Sequence, residues 1–288
     1  MMLTVTQAEA LMTDAAVTEY WERGYWISPP FLDEAEITQL RQEVTRMRQG
    51  DYDRTIPSMY NLEVLPLESP KISQNLNSFW LNDAIRAVVT SPALGMMAAR
   101  LMQVPTVRLW HDQAIYKPGV GTNGETAGNS VGWHQDYGFW KASSTTNMVT
   151  AWIALQDTDL SNGGMRTIVG SHRWGLIEGS DTFHSDDLEG LAKRYAAEGK
   201  GEWLDEPCIL KAGQISFHHA LTFHGSGPNR SDQARLSLVA HLMPGNTVYA
   251  VTGNQYHPNL TLLGPNAYDG QPFMGDYWPQ LWPVNADA

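Results

Sequence analysis

Cysteine is all but missing from this sequence. Cys208 is the only one in 288 residues, which excludes an intrachain disulfide and any zinc cluster built on several thiolates, and suits a reducing compartment. Positive charge is scarce too. Nineteen Lys and Arg stand against 31 Asp and Glu, a formal net charge of -12, so the cationic surface that neutralises nucleic-acid phosphates is not expected. No stretch reaches the roughly 18 apolar residues of a membrane span. The first residues lack a basic segment and carry Glu9, Asp14 and Glu19 where a secretion signal would be apolar, so the expected location is cytoplasmic, with neither a membrane nor a nucleic acid as partner. Gly119, Gly121 and Gly124 have the GxGxxG spacing, but no capped helix opens behind them and no βαβ unit surrounds them, so they read as a loop. Its continuation from Glu125 to Ser130 is either a lid over a neighbouring site or a plain flexible connection.

Against these absences stand eleven Trp and twelve Met, which must line a core or a pocket. The length fits one domain spanning 1–288. Its first part, about 1–104, is helical. Asp33 and Glu36 form a capping-box pattern before a stripe of Ile37, Leu40, Val44 and Met47, with Gly50 as the stop. Ser91-Pro92 has the form of an N-cap followed by a first-turn proline. Between about 105 and 245 the pattern changes to short β-branched and aromatic runs punctuated by Gly, Pro, Asn and Asp, as in an antiparallel sandwich or barrel. The strands expected are Val107–Tyr116, Trp133–Phe139, Met148–Leu155, Gln214–Phe217, Leu221–His224 and Arg235–Leu242. The charged stretch from Ser180 to Glu202 reads as a helical excursion at the surface. The tail after Asn246 reads as irregular but packed, closing one end of a pocket.

His134 and Asp136 are two residues apart, so on an extended strand both face one side and Gln135 faces the other. Two imidazoles and one carboxylate can hold one face of an octahedral Fe(II) and leave the opposite face open. The second imidazole has competing sources. His218 and His224 share strand parity if the chain between them is unbroken, while His219 and His111 also lie near the sheet. His224 is favoured by its downstream neighbour, because Arg235 begins the next strand. A guanidinium at the inner start of a strand needs a carboxylate, and its rigid fork suits an organic acid.

His134-Gln135-Asp136, the His224-Gly225-Ser226 turn and Arg235 together resemble the phytanoyl-CoA dioxygenase family of Fe(II)- and 2-oxoglutarate-dependent oxygenases. The similarity runs from Gly24-Tyr25-Trp26 to about Pro244 and includes Trp152, the Asn162-Gly163-Gly164 turn and Gly170-Ser171-His172. It implies a mainly β fold with flanking helices, a double-stranded β-helix or jelly roll of cupin type, with iron near one mouth. It further implies His134, Asp136 and His224 as metal ligands. Arg235 and Ser226 would receive the far carboxylate of 2-oxoglutarate, with Trp152 beside it and Gln113 or Lys117 as further contacts. Lys117 could equally be a solvated turn residue, and His172 is placed by the family in a structural turn.

The activity implied is oxidative decarboxylation of 2-oxoglutarate by O2 to succinate and CO2, coupled to hydroxylation of a C–H bond in a small molecule. Related halogenases lack the carboxylate ligand, so Asp136 argues for hydroxylation over halide transfer. Phe139 and Trp140, just past the ligands, and Trp110 on a neighbouring strand are the candidate substrate-pocket residues. Aromatic walls suit an apolar or cationic small molecule. Two other readings are a jelly-roll isomerase or hydrolase using Zn or Mn, and a non-catalytic metal-binding protein.

Overall fold

The computed structural model describes residues 2–55, 69, 71–120, 129–252 and 257–283. Of the candidate lid, Glu125–Ser130, the first four residues lie outside the described residues. In chain order the elements are α1 (Val5–Leu11), α2 (Asp14–Arg23), β1 (Tyr25–Ile27), α3 (Glu34–Arg48), β2 (Ser73–Leu76), α4 (Asp83–Val89), α5 (Pro92–Met102), β3 (Val107–Lys117), β4 (Val131–His134), β5 (Val149–Ala154) and β6 (Met165–Ile168). Then come α6 (Leu188–Glu198), β7 (Asp205–Pro207), β8 (Ile215–His219), β9 (His224–Ser226), β10 (Arg235–Pro244) and β11 (Gln280–Trp282). A seven-stranded sheet runs β1-β8-β5-β10-β3-β11, with β2 also on β3, and a four-stranded sheet runs β4-β9-β6-β7. Every pairing is antiparallel.

Local chemistry sets the helices. The Asp33–Glu36 capping box forms, and the stripe of Ile37, Leu40, Val44 and Met47 is buried. The α3 helix stops at Arg48, and Gly50 lies just beyond with φ 81°, a left-handed conformation that glycine adopts without strain. Pro92 opens α5 after Ser91, although the Ser91 side chain makes no cap hydrogen bond. These helices cover one face of the large sheet. Val149, Ala151 and Ile153 of β5, Ile215 and Phe217 of β8, and Leu236, Leu238 and Ala240 of β10 point into that helical core. The alternate residues point towards the small sheet.

Two expected strands and the tail differ from what is observed. Trp133–Phe139 is not one strand, since β4 ends at His134 and Asp136–Phe139 forms a 3-10 turn. The run Leu221–His224 is a crossing instead, because β8 lies in the large sheet and β9, starting at His224, in the small one. The tail carries a strand, β11, and a 3-10 turn at Pro258–Leu263. The stretch after Ser180 does form the surface helix α6, but its beginning is inserted beside β4. Gly132 donates to the Phe183 carbonyl at 2.9 Å, and a Cβ at Gly132 would lie 2.1 Å from the Thr182 carbonyl oxygen, so glycine is what permits this approach. Among the described residues no helix is long and apolar enough to cross a membrane.

Candidate metal centre

The small sheet supplies two imidazoles as a cross-strand pair, because His134 on β4 stands directly opposite His224 on β9. Each ring is held the same way. His134 Nδ1 meets the Gly132 carbonyl at 2.7 Å and His224 Nδ1 meets the Thr222 carbonyl at 2.9 Å. A carbonyl only accepts, so each Nδ1 carries the proton and each Nε2 keeps its lone pair. Gln135 continues the extended backbone, and its side chain turns away to donate to the Gly175 and Leu221 carbonyls. Asp136 thereby returns to the side of His134. Its Oδ1 lies 3.6 Å from both Nε2 atoms. The three ligand atoms lie within 4.8 Å of one another, and among the described residues this is the one such group.

The large sheet supports the carboxylate with a single register row. His218, Thr150, His241 and His111 are consecutive partners across β8, β5, β10 and β3. Thr150 Oγ donates to Asp136 Oδ2 at 2.6 Å and lies 2.8 Å from His241 Nδ1, while His218 Nε2 is 3.3 Å from the same carboxylate oxygen. Burial alone would raise the Asp136 pKa, but His224, His134 and His218 hold it well below the usual carboxylate range. This donor set of two imidazole lone pairs and a carboxylate fits a first-row divalent metal with an open face. His218 thus meets the oxygen turned away from the two Nε2 atoms, which separates it from His224.

Arg235 opens β10 on the same face as His241. It is 3% exposed, stacks over the Trp152 ring at 5.0 Å, and has no carboxylate partner among the described residues. Burial lowers its pKa to about 10, so it is a buried cation at neutral pH. Ser226 faces the same space. Lys117 is neither a solvated turn residue nor part of the cavity wall: it is fully buried and donates to Ser226 Oγ at 2.6 Å and to the Gly227 carbonyl at 2.6 Å. Burial and the Arg235 charge push its pKa well below the ordinary lysine value.

A cavity of about 240 Å³ joins the three ligands to Arg235, Ser226, Trp152 and Gln113, with Phe139 and Trp140 on its wall. Trp110 does not line it. The β3–β10 pairing slips at Trp110, where His111 pairs with His241 and Leu109 with Leu242, so alternation fails there. Trp110 is wholly buried against Phe273 and Trp278 of the tail. Tyr116 also faces away, under the Arg48 guanidinium. The tail does reach the cavity, through His257 and Pro258. Unforeseen from sequence were His241 and Thr150, although their strand parity with Arg235 and Trp152 could have found them. Phe183 and His184 were missed because their segment carries no strand signal.

A family model described as phytanoyl-CoA dioxygenase matches residues 20–237. The chain belongs to the phytanoyl-CoA dioxygenase family. It is thereby a non-haem iron- and 2-oxoglutarate-dependent dioxygenase by family. A Stutzerimonas stutzeri relative, named a probable alpha-ketoglutarate-dependent hypophosphite dioxygenase, is 25% identical over 227 residues, covering 77% of this chain and 75% of that protein. The carbocyclase SnoK from nogalamycin biosynthesis superimposes with a TM-score of 0.70 at 23% identity, covering 95% and 97% of the two chains. The epimerase SnoN, solved with Fe3+, alpha-ketoglutarate and nogalamycin RO, gives 0.68 at 22% identity, covering 95% and 99%. The shared fold is the cupin-like jelly roll, and the two facing sheets here are its layers.

Proposed function

We propose that this family member hydroxylates a C–H bond of a small molecule, with His134, Asp136 and His224 holding Fe(II) and Arg235 and Ser226 receiving the far carboxylate of 2-oxoglutarate. The observation that carries this reading is Arg235, a buried cation without a carboxylate partner among the described residues, facing the open side of a three-ligand cluster. Buried charges are ordinarily paired, and a dicarboxylate co-substrate provides the missing partner. With its co-substrate and O2, iron at such a centre supplies oxidative decarboxylation and oxygen insertion.

The residues divide the remaining work. The Nδ1 contacts of His134 and His224 keep both Nε2 lone pairs aimed at one point. Thr150 and His218 fix the second oxygen of Asp136, so that Oδ1 faces that point. Lys117, by donating to Ser226 Oγ, leaves the Ser226 hydroxyl hydrogen free for a carboxylate. Trp152 stacks under the Arg235 guanidinium and holds its plane, while Gln113 accepts from Gln74 at 2.9 Å and keeps its own amide hydrogens for a further contact. Phe139 and Trp140 exclude water beside the ligands. Asp136 occupies a coordination position that halide transfer would need, which favours hydroxylation.

The test is succinate formation in a screen of small molecules with purified protein and added Fe(II). Succinate release should require Fe(II), fail with Zn(II) or Mn(II) alone, and fall at least 100-fold in Asp136→Ala and His134→Ala. Undiminished 2-oxoglutarate turnover in either variant would remove it from the ligand set.

A further inference from the structure

Beyond the proposed ligands the cavity is lined by five further histidines: His218 beside Asp136, His184, and a packed group of three, His111, His241 and His257. Two have a tautomer dictated by their neighbours. Thr150 has one hydroxyl hydrogen and gives it to Asp136 Oδ2, so His241 Nδ1 must donate to Thr150 Oγ. His241 Nε2 is then a bare acceptor, and it is buried without a partner among the described residues. His257 is fixed in the opposite sense. Its Nδ1 accepts from the Asn259 backbone N–H at 3.2 Å, which leaves the proton on Nε2. His111 stands between them, its ring centre 4.3 Å from that of His241 and 4.8 Å from that of His257, and both its ring nitrogens are buried with no partner among the described residues. Trp140 packs edge-on against His241 at 4.6 Å. A buried polar atom without a partner costs about 1–3 kcal/mol, so this wall is built to meet hydrogen-bonding groups.

The only fixed positive side chain of the cavity lining is the one assigned to 2-oxoglutarate. All nineteen Lys and Arg of the chain fall among the described residues, and of these Arg235 alone lines the cavity. Burial keeps His111 neutral and lowers His257 to about 3. A carboxylate or phosphonate headgroup would enter here without a counter-charge from the wall, against the cost of desolvating an anion.

We propose that the cavity selects a compact uncharged substrate through a group that both donates and accepts hydrogen bonds, an alcohol or a carboxamide, donating to His241 Nε2 and accepting from His257 Nε2–H. This substrate class rests on the hydroxylase reading above. His111 offers one further donor and one further acceptor to the same group, and Trp140 with Phe139 covers the carbon skeleton.

The test is anaerobic calorimetry on the full chain loaded with Fe(II) and 2-oxoglutarate, titrated with small molecules in matched sets: alcohol, primary amide, carboxylate and phosphonate on one skeleton. The neutral members should bind and the anionic members bind at least tenfold more weakly. His257→Phe and His111→Phe should weaken the best neutral ligand about tenfold, the worth of one hydrogen bond. His257→Gln, which keeps an N–H donor, should stay within about threefold. Preferential binding of carboxylates or phosphonates, absence of any neutral ligand, or indifference to the Phe variants overturns the proposal. Should His257→Phe not fold, the charge preference of the wild type and the Gln variant still decide. If Fe(II)-dependent binding of 2-oxoglutarate itself is absent, the hydroxylase reading fails first. If it is present and the neutral ligands fail, only the substrate class falls.

Discussion

Replacing Arg235 by Met should stabilise the metal-free protein while cutting its response to 2-oxoglutarate to about a third or less. The guanidinium is 3% exposed and has no carboxylate partner among the described residues. An uncompensated buried charge costs about 3–5 kcal/mol. Two effects offset this. The Trp152 ring at 5.0 Å returns up to ~2 kcal/mol as a cation–π contact, and water in the adjoining cavity hydrates part of the group. A net gain of about 1 kcal/mol for Met in the metal-free state is therefore expected, a rise in Tm of roughly 2–4 °C for a chain of this size. In the wild type, Fe(II) with 2-oxoglutarate at a hundredfold excess over its Kd adds about 2.7 kcal/mol, or roughly 5–10 °C on the same scale. The variant loses a buried, hydrogen-bonded charge pair worth about 2–5 kcal/mol or more. Its 2-oxoglutarate affinity should drop roughly 30-fold to several thousandfold, and the stabilisation at that concentration should fall from about 2.7 to about 0.9 kcal/mol or less. Scanning calorimetry, anaerobic and with and without each component, reads both numbers. A variant that melts below wild type when metal-free and is stabilised by 2-oxoglutarate as strongly as wild type would remove Arg235 from the co-substrate site.

Other consequences are equally direct. Thr150→Val removes the hydrogen bond to Asp136 Oδ2 at nearly constant volume and should weaken Fe(II) affinity ~10–100-fold, as loss of an outer-shell partner does, with Thr150→Ser restoring it; equal affinity in all three proteins would refute the positioning role. His172, whose pKa burial lowers to about 4, binds fewer protons folded than unfolded, so stability should fall as pH drops from about 6.5 towards 4, by up to roughly 3 kcal/mol. His172→Gln should flatten that slope in urea unfolding curves, and an unchanged slope would exclude His172 as its source. Gly132→Ala places a methyl against the Thr182 carbonyl and should cost about 1–3 kcal/mol, seen as a lower urea midpoint; an unaltered midpoint would mean the 180–185 segment yields freely.

Much of this was legible because the informative residues lie in short local patterns. The capping box at Asp33–Glu36, the proline at the start of α5 and the apolar stripe of α3 obey rules that act within a few residues. The pairing of His134 with His224 was reachable through the family spacing, since Arg235 comes after His224 at the start of the next strand. What failed was alternation carried across an irregularity. The expected strand Trp133–Phe139 breaks at Asp136, and beyond the slip at Trp110 the faces of β3 exchange: His111 keeps the cavity side of Gln113 and Ile115, whereas Leu109 and Val107 turn into the helical core. A one-residue slip exchanges the two faces of a strand, and nothing in the local composition of Leu109-Trp110-His111 announces it.

The row formed by His218, Thr150, His241 and His111 shows why the remaining half of the site could not be read from any single segment. The four residues come from β8, β5, β10 and β3, far apart in sequence, and only the antiparallel register makes them neighbours. Each is locally an ordinary strand residue. Their joint consequence is chemical: one hydroxyl hydrogen, committed to Asp136, sets the tautomer of His241 and leaves an acceptor facing the cavity. Carboxylate orientation and substrate hydrogen bonding are therefore coupled through Thr150, and a change on either side of that hydroxyl should be felt on the other. Thr150→Val thus has a second expected outcome. With no hydroxyl to fix it, His241 can move its proton to Nε2, and the preference for a donating substrate group over a purely accepting one should shrink along with metal affinity.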